Sequence, residues 1–163
     1  MVFTTQQLQA IKAEIDTDPA LSAYPNTPDG AFAIAAALNL PASPEFVVWR
    51  TLVEQDEITQ NGFAWVDVDS LTVGKARIWE WLFDNSNAAI NPSKVNVRDG
   101  IIEVWKGTAA KLAVQAAVLS HCKRAASRLE KILATGTGTT ESPATMGYEG
   151  DINYQAVQQA RNS

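Results

Sequence analysis

Apolar residues recur at steps of three and four along most of the chain, and polar punctuation divides them into helices. Leu8, Ile11 and Ile15 fall on one face behind Thr4 and Thr5, either of which can cap a first helix. Asp18-Pro19 ends that element or starts a new turn, and Tyr24-Pro25-Asn26-Thr27-Pro28 is a rigid connection. Thr27 then caps a second helix with Pro28 at its first position, running through the alanine-rich Ala31–Leu38 segment. Asn39-Leu40-Pro41 stops it. Ser43-Pro44 repeats the same punctuation and predicts a third helix containing Phe46, Val47 and Trp49, ending before the Asn61-Gly62 turn signal.

Phe63, Trp65, Val66 and Val68 fit either a short strand or an irregular apolar clamp. Ser70 or Thr72 caps a fourth helix, in which Ile78/Leu82 and Trp79/Phe83 are i,i+4 pairs and which Asp84-Asn85-Ser86-Asn87 ends. Asn91-Pro92-Ser93 introduces a fifth, with Ile101, Ile102 and Trp105 on its buried side. Gly107 suits its C-cap and Thr108 the next N-cap. The longest helix is expected from Ala109 to Leu133, striped by Leu112, Ala116, Leu119, Cys122, Ala126, Leu129 and Leu133.

After Leu133 the composition changes. ATGTGTTESPATMGYEGD is too rich in Gly, Thr and Ser to build a core, yet apolar anchors are scattered through its end and beyond. The expected fold is therefore all-α, a compact multi-helix bundle over residues 1–134 with an extended Gly/Thr-rich C-terminal arm over 135–163. Met146, Tyr148, Ile152, Tyr154 and Val157 are the arm's candidate partner-binding residues, on its own domain or a neighbouring chain.

Charge adds a second candidate surface. The net charge of −5 is unevenly spread: residues 1–72 carry two basic groups against ten acidic ones, and residues 73–131 carry ten against five. Within the basic stretch Lys123, Arg124, Arg128 and Lys131 make a patch that could face DNA or an acidic partner. The chain as a whole is acidic and carries no nucleic-acid motif, so only nonspecific contact with DNA is expected.

The remaining chemistry is sparse. One cysteine and one histidine exclude an intrachain disulfide and a cysteine-based metal cage. His121 and Cys122 are helix neighbours about 100° apart, so they do not face each other as a nucleophile pair would. Asp67 and Asp69 lack the further oxygens of a calcium loop. Glu54, Asp56 and Glu57 read as solvated charge, and Gly136-Thr137-Gly138-Thr139 lacks the lysine and preceding strand of a phosphate loop. No catalytic, cofactor or metal site is expected. No apolar run approaches the roughly 20 residues of a membrane span, and the N-terminal residues do not read as a signal peptide. Trp79 and Trp81 lie about 200° apart on a helix, so one of them is expected to meet a second layer, the arm or a partner.

The segments LSAYPNTPDGAFAIAAALN, VGKARIWEWLFDN, INPSK and ATGTGTTESPATMGYEGDINYQAV resemble small virion structural proteins of tailed bacteriophages and prophages. The layout is most similar to head–tail connector adaptors. That resemblance implies a homo-oligomeric ring, commonly a dodecamer, on the portal protein, with a tail or neck neighbour, DNA in the lumen and a place in the virion assembled in the host cytoplasm. The alternatives are a tail-completion or head-decoration protein and, in a different class, a small helical DNA-binding regulator.

Overall fold

The computed structural model describes residues 2–60, 62–85 and 87–163. Among them lie nine helices, α1 (Thr5–Thr17), α2 (Pro19–Ser22), α3 (Pro28–Asn39), α4 (Gln55–Ile58), α5 (Val73–Phe83), α6 (Val95–Val104), α7 (Ala109–His121), α8 (Arg128–Leu133) and α9 (Tyr154–Arg161), and a 3-10 turn at Trp65–Asp67. Four short strands accompany them: β1 (Val47–Trp49), β2 (Val53–Glu54), β3 (Ala89–Ile90) and β4 (Lys123–Ala125). β1 pairs with β4, and β2 pairs antiparallel with β3, Val53 opposite Ile90.

The all-α expectation is thus corrected. About 52% of the chain is helical and 9% is strand, a helix-dominated mixed α/β fold rather than a pure bundle. The β2–β3 pair takes in part of the expected third helix and the segment after α5, and two further departures make the β1–β4 pair. The third helix expected behind Ser43-Pro44 is instead β1, where Val47 donates to the Gly138 carbonyl at 2.8 Å and accepts from Ala144. The long helix expected over 109–133 is three elements: α7 stops at Cys122, the chain extends through β4, and Ser127 starts α8. The apolar stripe continues across the break, so periodicity alone does not register it.

The chain divides into two units. One comprises Met1–Val48 and Ala125–Ser163, the other Trp49–Arg124, so the second is inserted within the first. In the discontinuous unit, Leu8, Ile11 and Ile15 of α1, Ala31, Ile34, Ala35 and Leu38 of α3, and Leu129 of α8 form a core with Ile152, Ala156, Val157 and Ala160. The helix starts are fixed locally: Thr4 and Gln7 make a reciprocal capping box, and Thr27 accepts from Gly30 N–H. Val48, Ala126 and Ala144 form a smaller cluster beneath Phe46 and Met146.

The inserted unit has its own core of Val53, Ile58, Phe63, Trp79, Phe83, Ile90, Ile101, Val104, Trp105, Val114, Val118 and Cys122. Trp105 meets Phe63 and Trp79 edge-on at 5.5 and 5.3 Å between ring centroids. Its indole N–H is the one buried side-chain polar atom among the described residues without a hydrogen-bond partner. Thr72 caps α5 and Thr108 caps α7, as their sequences predict. On the fifth expected helix Ile101 and Trp105 are buried, whereas Ile102 faces solvent. The turn expected at Asn61-Gly62 and the stop expected over 84–87 include Asn61 and Ser86, which lie outside the described residues.

Candidate functional site

The residues read from the sequence as arm anchors are anchors, but within their own unit. Asn153 caps α9 by accepting from Ala156 N–H at 2.9 Å, and Val157 is fully buried against α1 and α3. Ile152 is held by Asn39, whose amide donates to its carbonyl at 3.0 Å and accepts from its N–H at 2.9 Å. Tyr154 stacks on Phe32 at 4.2 Å, and Tyr148 packs on Phe3 at 4.6 Å. Burial pushes the Tyr148 phenol above its ordinary pKa, and its hydroxyl donates to the Asp151 carbonyl. Met146 packs, half-buried, on the Val48 cluster. Arg161 closes the end of α9 with hydrogen bonds to the Tyr24 and Pro25 carbonyls at 2.7 and 2.8 Å. The extended arm is therefore corrected to a docked segment. Its Gly- and Thr-rich part is pinned by Thr135–Thr145 main-chain bonds at 2.8 and 2.9 Å, and α9 completes the core.

The four basic residues of the second candidate surface do not act alike. Lys123 and Arg124 belong to the inserted unit; Arg128 and Lys131 belong to the discontinuous one. Lys123 lies 5.3 Å from the centre of the Trp49 ring, which Arg98 also covers at 4.6 Å. Arg124 is half-buried. Arg128 bridges two helices: it donates to Glu14 Oε1 at 2.7 Å and to Asp18. That guanidinium, with the Ala20 N–H, holds the Asp18 carboxyl below its ordinary pKa. Lys131 lies 5.8 Å over Phe46.

The remaining sequence candidates have structural surroundings. Cys122 is fully buried, and loss of water pushes its thiol up to about 12, so the nucleophilic thiolate is suppressed. The neighbouring His121 carbonyl accepts from Arg50 at 3.2 Å. Arg50 also pairs with Glu57 at 2.6 Å and holds that carboxyl below its usual range. Asp67 ends the 3-10 turn, and among the described residues no three acidic, histidine or cysteine side chains converge as a metal cage would require. Gly138, of the Gly/Thr-rich segment, has a φ of +69° and lies so close to Phe46 that a Cβ would fall 2.1 Å from the ring.

One feature escapes the sequence reading and a second is only half legible in it. The first is a groove of about 790 Å³ in the discontinuous unit, lined along α1 by Ala10, Ala13, Glu14 and Thr17 and across from them by Ala37, Leu40 and Ile132. The second is the outward side of α5, where Trp81 is 66% and Val73 78% exposed. Trp65 is 61% exposed nearby in sequence. The 200° spacing of Trp79 and Trp81 points to one exposed tryptophan; Trp79 is the buried one and Trp81 the exposed one. No family model, no curated protein and no solved structure matches the chain.

Proposed function

We propose that the protein is a structural part of a tailed-phage particle, acting as a head–tail connector adaptor that assembles as a ring on the portal. The observation that carries an assembly role is the pair of tryptophans, Trp65 and Trp81, held largely in water on ordered elements. Large aromatic side chains so placed are the anchors of protein interfaces, because they bury much area at little entropic cost. The choice of assembly rests on the four quoted segments and their resemblance to virion proteins. In this reading the partners are further copies of the chain, the portal and a neighbouring neck or tail protein. Packaged DNA is met only through nonspecific charge.

The test is to mix the purified protein with purified portal and to localise it in particles by electron microscopy. A ring of mass beneath the portal, lost when the gene is removed, is expected. Protein found on the capsid surface or at the tail tip instead would sink the connector assignment in favour of decoration or tail completion.

A further inference from the structure

A second recess lies wholly within the inserted unit, where the end of α5 meets the start of α4. It has a volume of about 450 Å³ and is lined by Gln55, Trp79, Glu80, Trp81, Phe83 and Asp84. Three kinds of group meet in it. Trp81, 66% exposed, supplies a broad indole surface on an ordered helix. Glu80 and Asp84, at i and i+4, supply two exposed carboxylates, and neither has an ion pair or a side-chain hydrogen bond among the described residues. They stand at the C-terminal end of α5, where the helix dipole disfavours negative charge, so they cost the helix stability rather than add to it.

The third kind of group is a donor. Trp79 is only 7% exposed, a core residue held by Phe63, Phe83 and Trp105. Its indole N–H makes no hydrogen bond, yet it is not a buried atom: among the described residues only the Trp105 N–H is both buried and unpaired. The one polar side-chain atom of a residue otherwise sealed in the core is therefore left open at the recess that the residue lines. Gln55 adds an amide whose side chain has no partner among the described residues. Its backbone N–H bonds the Ala88 carbonyl at 2.9 Å, which fixes the start of α4 against the loop after α5.

This mixture selects among ligands. An organic cation would answer Glu80, Asp84 and the indole face, but it has nothing to accept from the Trp79 and Gln55 N–H groups. An anion would answer those N–H groups and be repelled by the carboxylates. A hydroxyl both donates and accepts, so a ligand carrying several of them satisfies all of these groups together. The C–H bonds of a sugar ring carry slight positive charge and lie favourably on the negative face of an indole.

We infer that this recess is a binding site for a neutral saccharide, with a sugar ring over Trp81 and its hydroxyls bonded to Glu80, Asp84, Gln55 and the Trp79 N–H. The inference goes beyond the assembly reading: it needs neither the portal nor a second copy and is measured on the chain alone.

Neutral trisaccharides of glucose, galactose and N-acetylglucosamine, each titrated into the isotope-labelled full chain, give the test. At least one is expected to bind with a Kd of roughly 1 mM or tighter and to move the indole N–H resonances of Trp79 and Trp81. Its affinity should be the same at low and high salt, because the ligand carries no charge. Trp81→Ala, at an exposed position, should fold with unchanged circular dichroism and bind roughly tenfold more weakly or worse. Gln55→Ala should lose roughly two- to tenfold, the share of one neutral hydrogen bond. Tetramethylammonium is the contrasting probe: if it moves the Trp81 resonance and no trisaccharide does, the recess takes a cation and the inference is overturned. It is equally overturned if no trisaccharide binds in that range, if binding leaves the Trp79 and Trp81 resonances unmoved, or if Trp81→Ala binds as the unsubstituted chain does. None of these outcomes bears on binding to purified portal, which tests the assembly reading separately.

Discussion

At the scale of single residues, charge and burial make separable predictions. Asp18 has its pKa lowered by the Arg128 guanidinium and by backbone N–H groups. A carboxyl whose folded pKa lies below its unfolded value adds stability above the unfolded value, and that contribution disappears as pH falls through the folded one. Its reference value is 3.8, so the contribution is full at neutral pH and declines in the acid range below about that value. Asp18→Asn should therefore lower the melting temperature at pH 7, and the gap to the unsubstituted protein should narrow progressively in thermal scans below pH 4. A gap that stayed constant with pH would show that the cap geometry, not the charge, is what matters. Cys122 gives the second case. With its thiol at about 12 and no exposure, iodoacetamide at pH 8 should leave it unmodified in the folded protein and alkylate it promptly in denaturant, as mass spectrometry would read. Gly138 gives the third. A φ of +69° is unfavourable for an L-residue by about 1–2 kcal/mol, and the Phe46 ring adds a steric clash. Gly138→Ala should lower unfolding free energy by at least that backbone amount in urea titration.

At the scale of elements, α9 decides how the discontinuous unit is built. Its buried side holds only Ala156, Val157 and Ala160, with Ile152 just before it, yet these close the face made by α1 and α3. Removing residues 134–163 would expose Leu8, Ile11, Ile34 and Leu38 together, an apolar surface that water does not tolerate. A chain ending at Leu133 is expected to aggregate or to bind a hydrophobic dye. In the full chain the amides of α9 should be protected from hydrogen exchange together with those of α1 and α3. Val157→Ala should cost about 2 kcal/mol in the same titration. The sequence shows the caps because a cap is local: Thr4, Thr27, Thr72, Thr108 and Asn153 each accept from the N–H three residues on. It also holds an overlooked signal for the start of α8, since Ser127-Arg128-Leu129-Glu130 is a capping-box pattern inside an unbroken apolar stripe. β1 is illegible for the opposite reason. Val47 and Val48 become strand through β4 and through partners at residues 138 and 144, roughly 75–95 positions away, and nothing within the window of a turn announces them. The exposed side of α5 is illegible likewise, because exposure of Trp81 rather than Trp79 depends on which side of the helix finds a neighbour.

At the scale of the whole molecule, the insertion of one unit in the other makes the halves experimentally separable. The Ala126 N–H bonds the Phe46 carbonyl at 2.8 Å and the Ala126 carbonyl accepts from Ala42, so the two ends left by excising residues 49–124 are adjacent. Insertion between close ends is the arrangement that proteins tolerate best. Joining Val48 to Ala125 through a short glycine-containing turn should yield a folded, helical chain with a cooperative thermal transition. Loss of cooperativity would show that the excised residues are needed to hold Val47 and Val48 against Gly138 and Ala144. Net charge follows the same division: the discontinuous unit carries the whole excess of −5, and the inserted unit balances nine basic against nine acidic groups.

The clasp between Asn39 and Ile152 spans 113 residues, and this sets an order of events on the ribosome. At roughly 5–20 residues per second, about 6–23 s pass between emergence of the α3 face and emergence of the helix that covers it. The inserted unit is continuous in sequence and is fully synthesised within that interval, so it can close first. The α1–α3 face meanwhile waits uncovered, apolar and sticky, on every nascent chain. Overproduction multiplies the number of chains in that waiting state, and slower synthesis lengthens each wait. Yield of soluble protein should therefore depend on holdase chaperones during translation far more than the stability of the finished molecule would suggest.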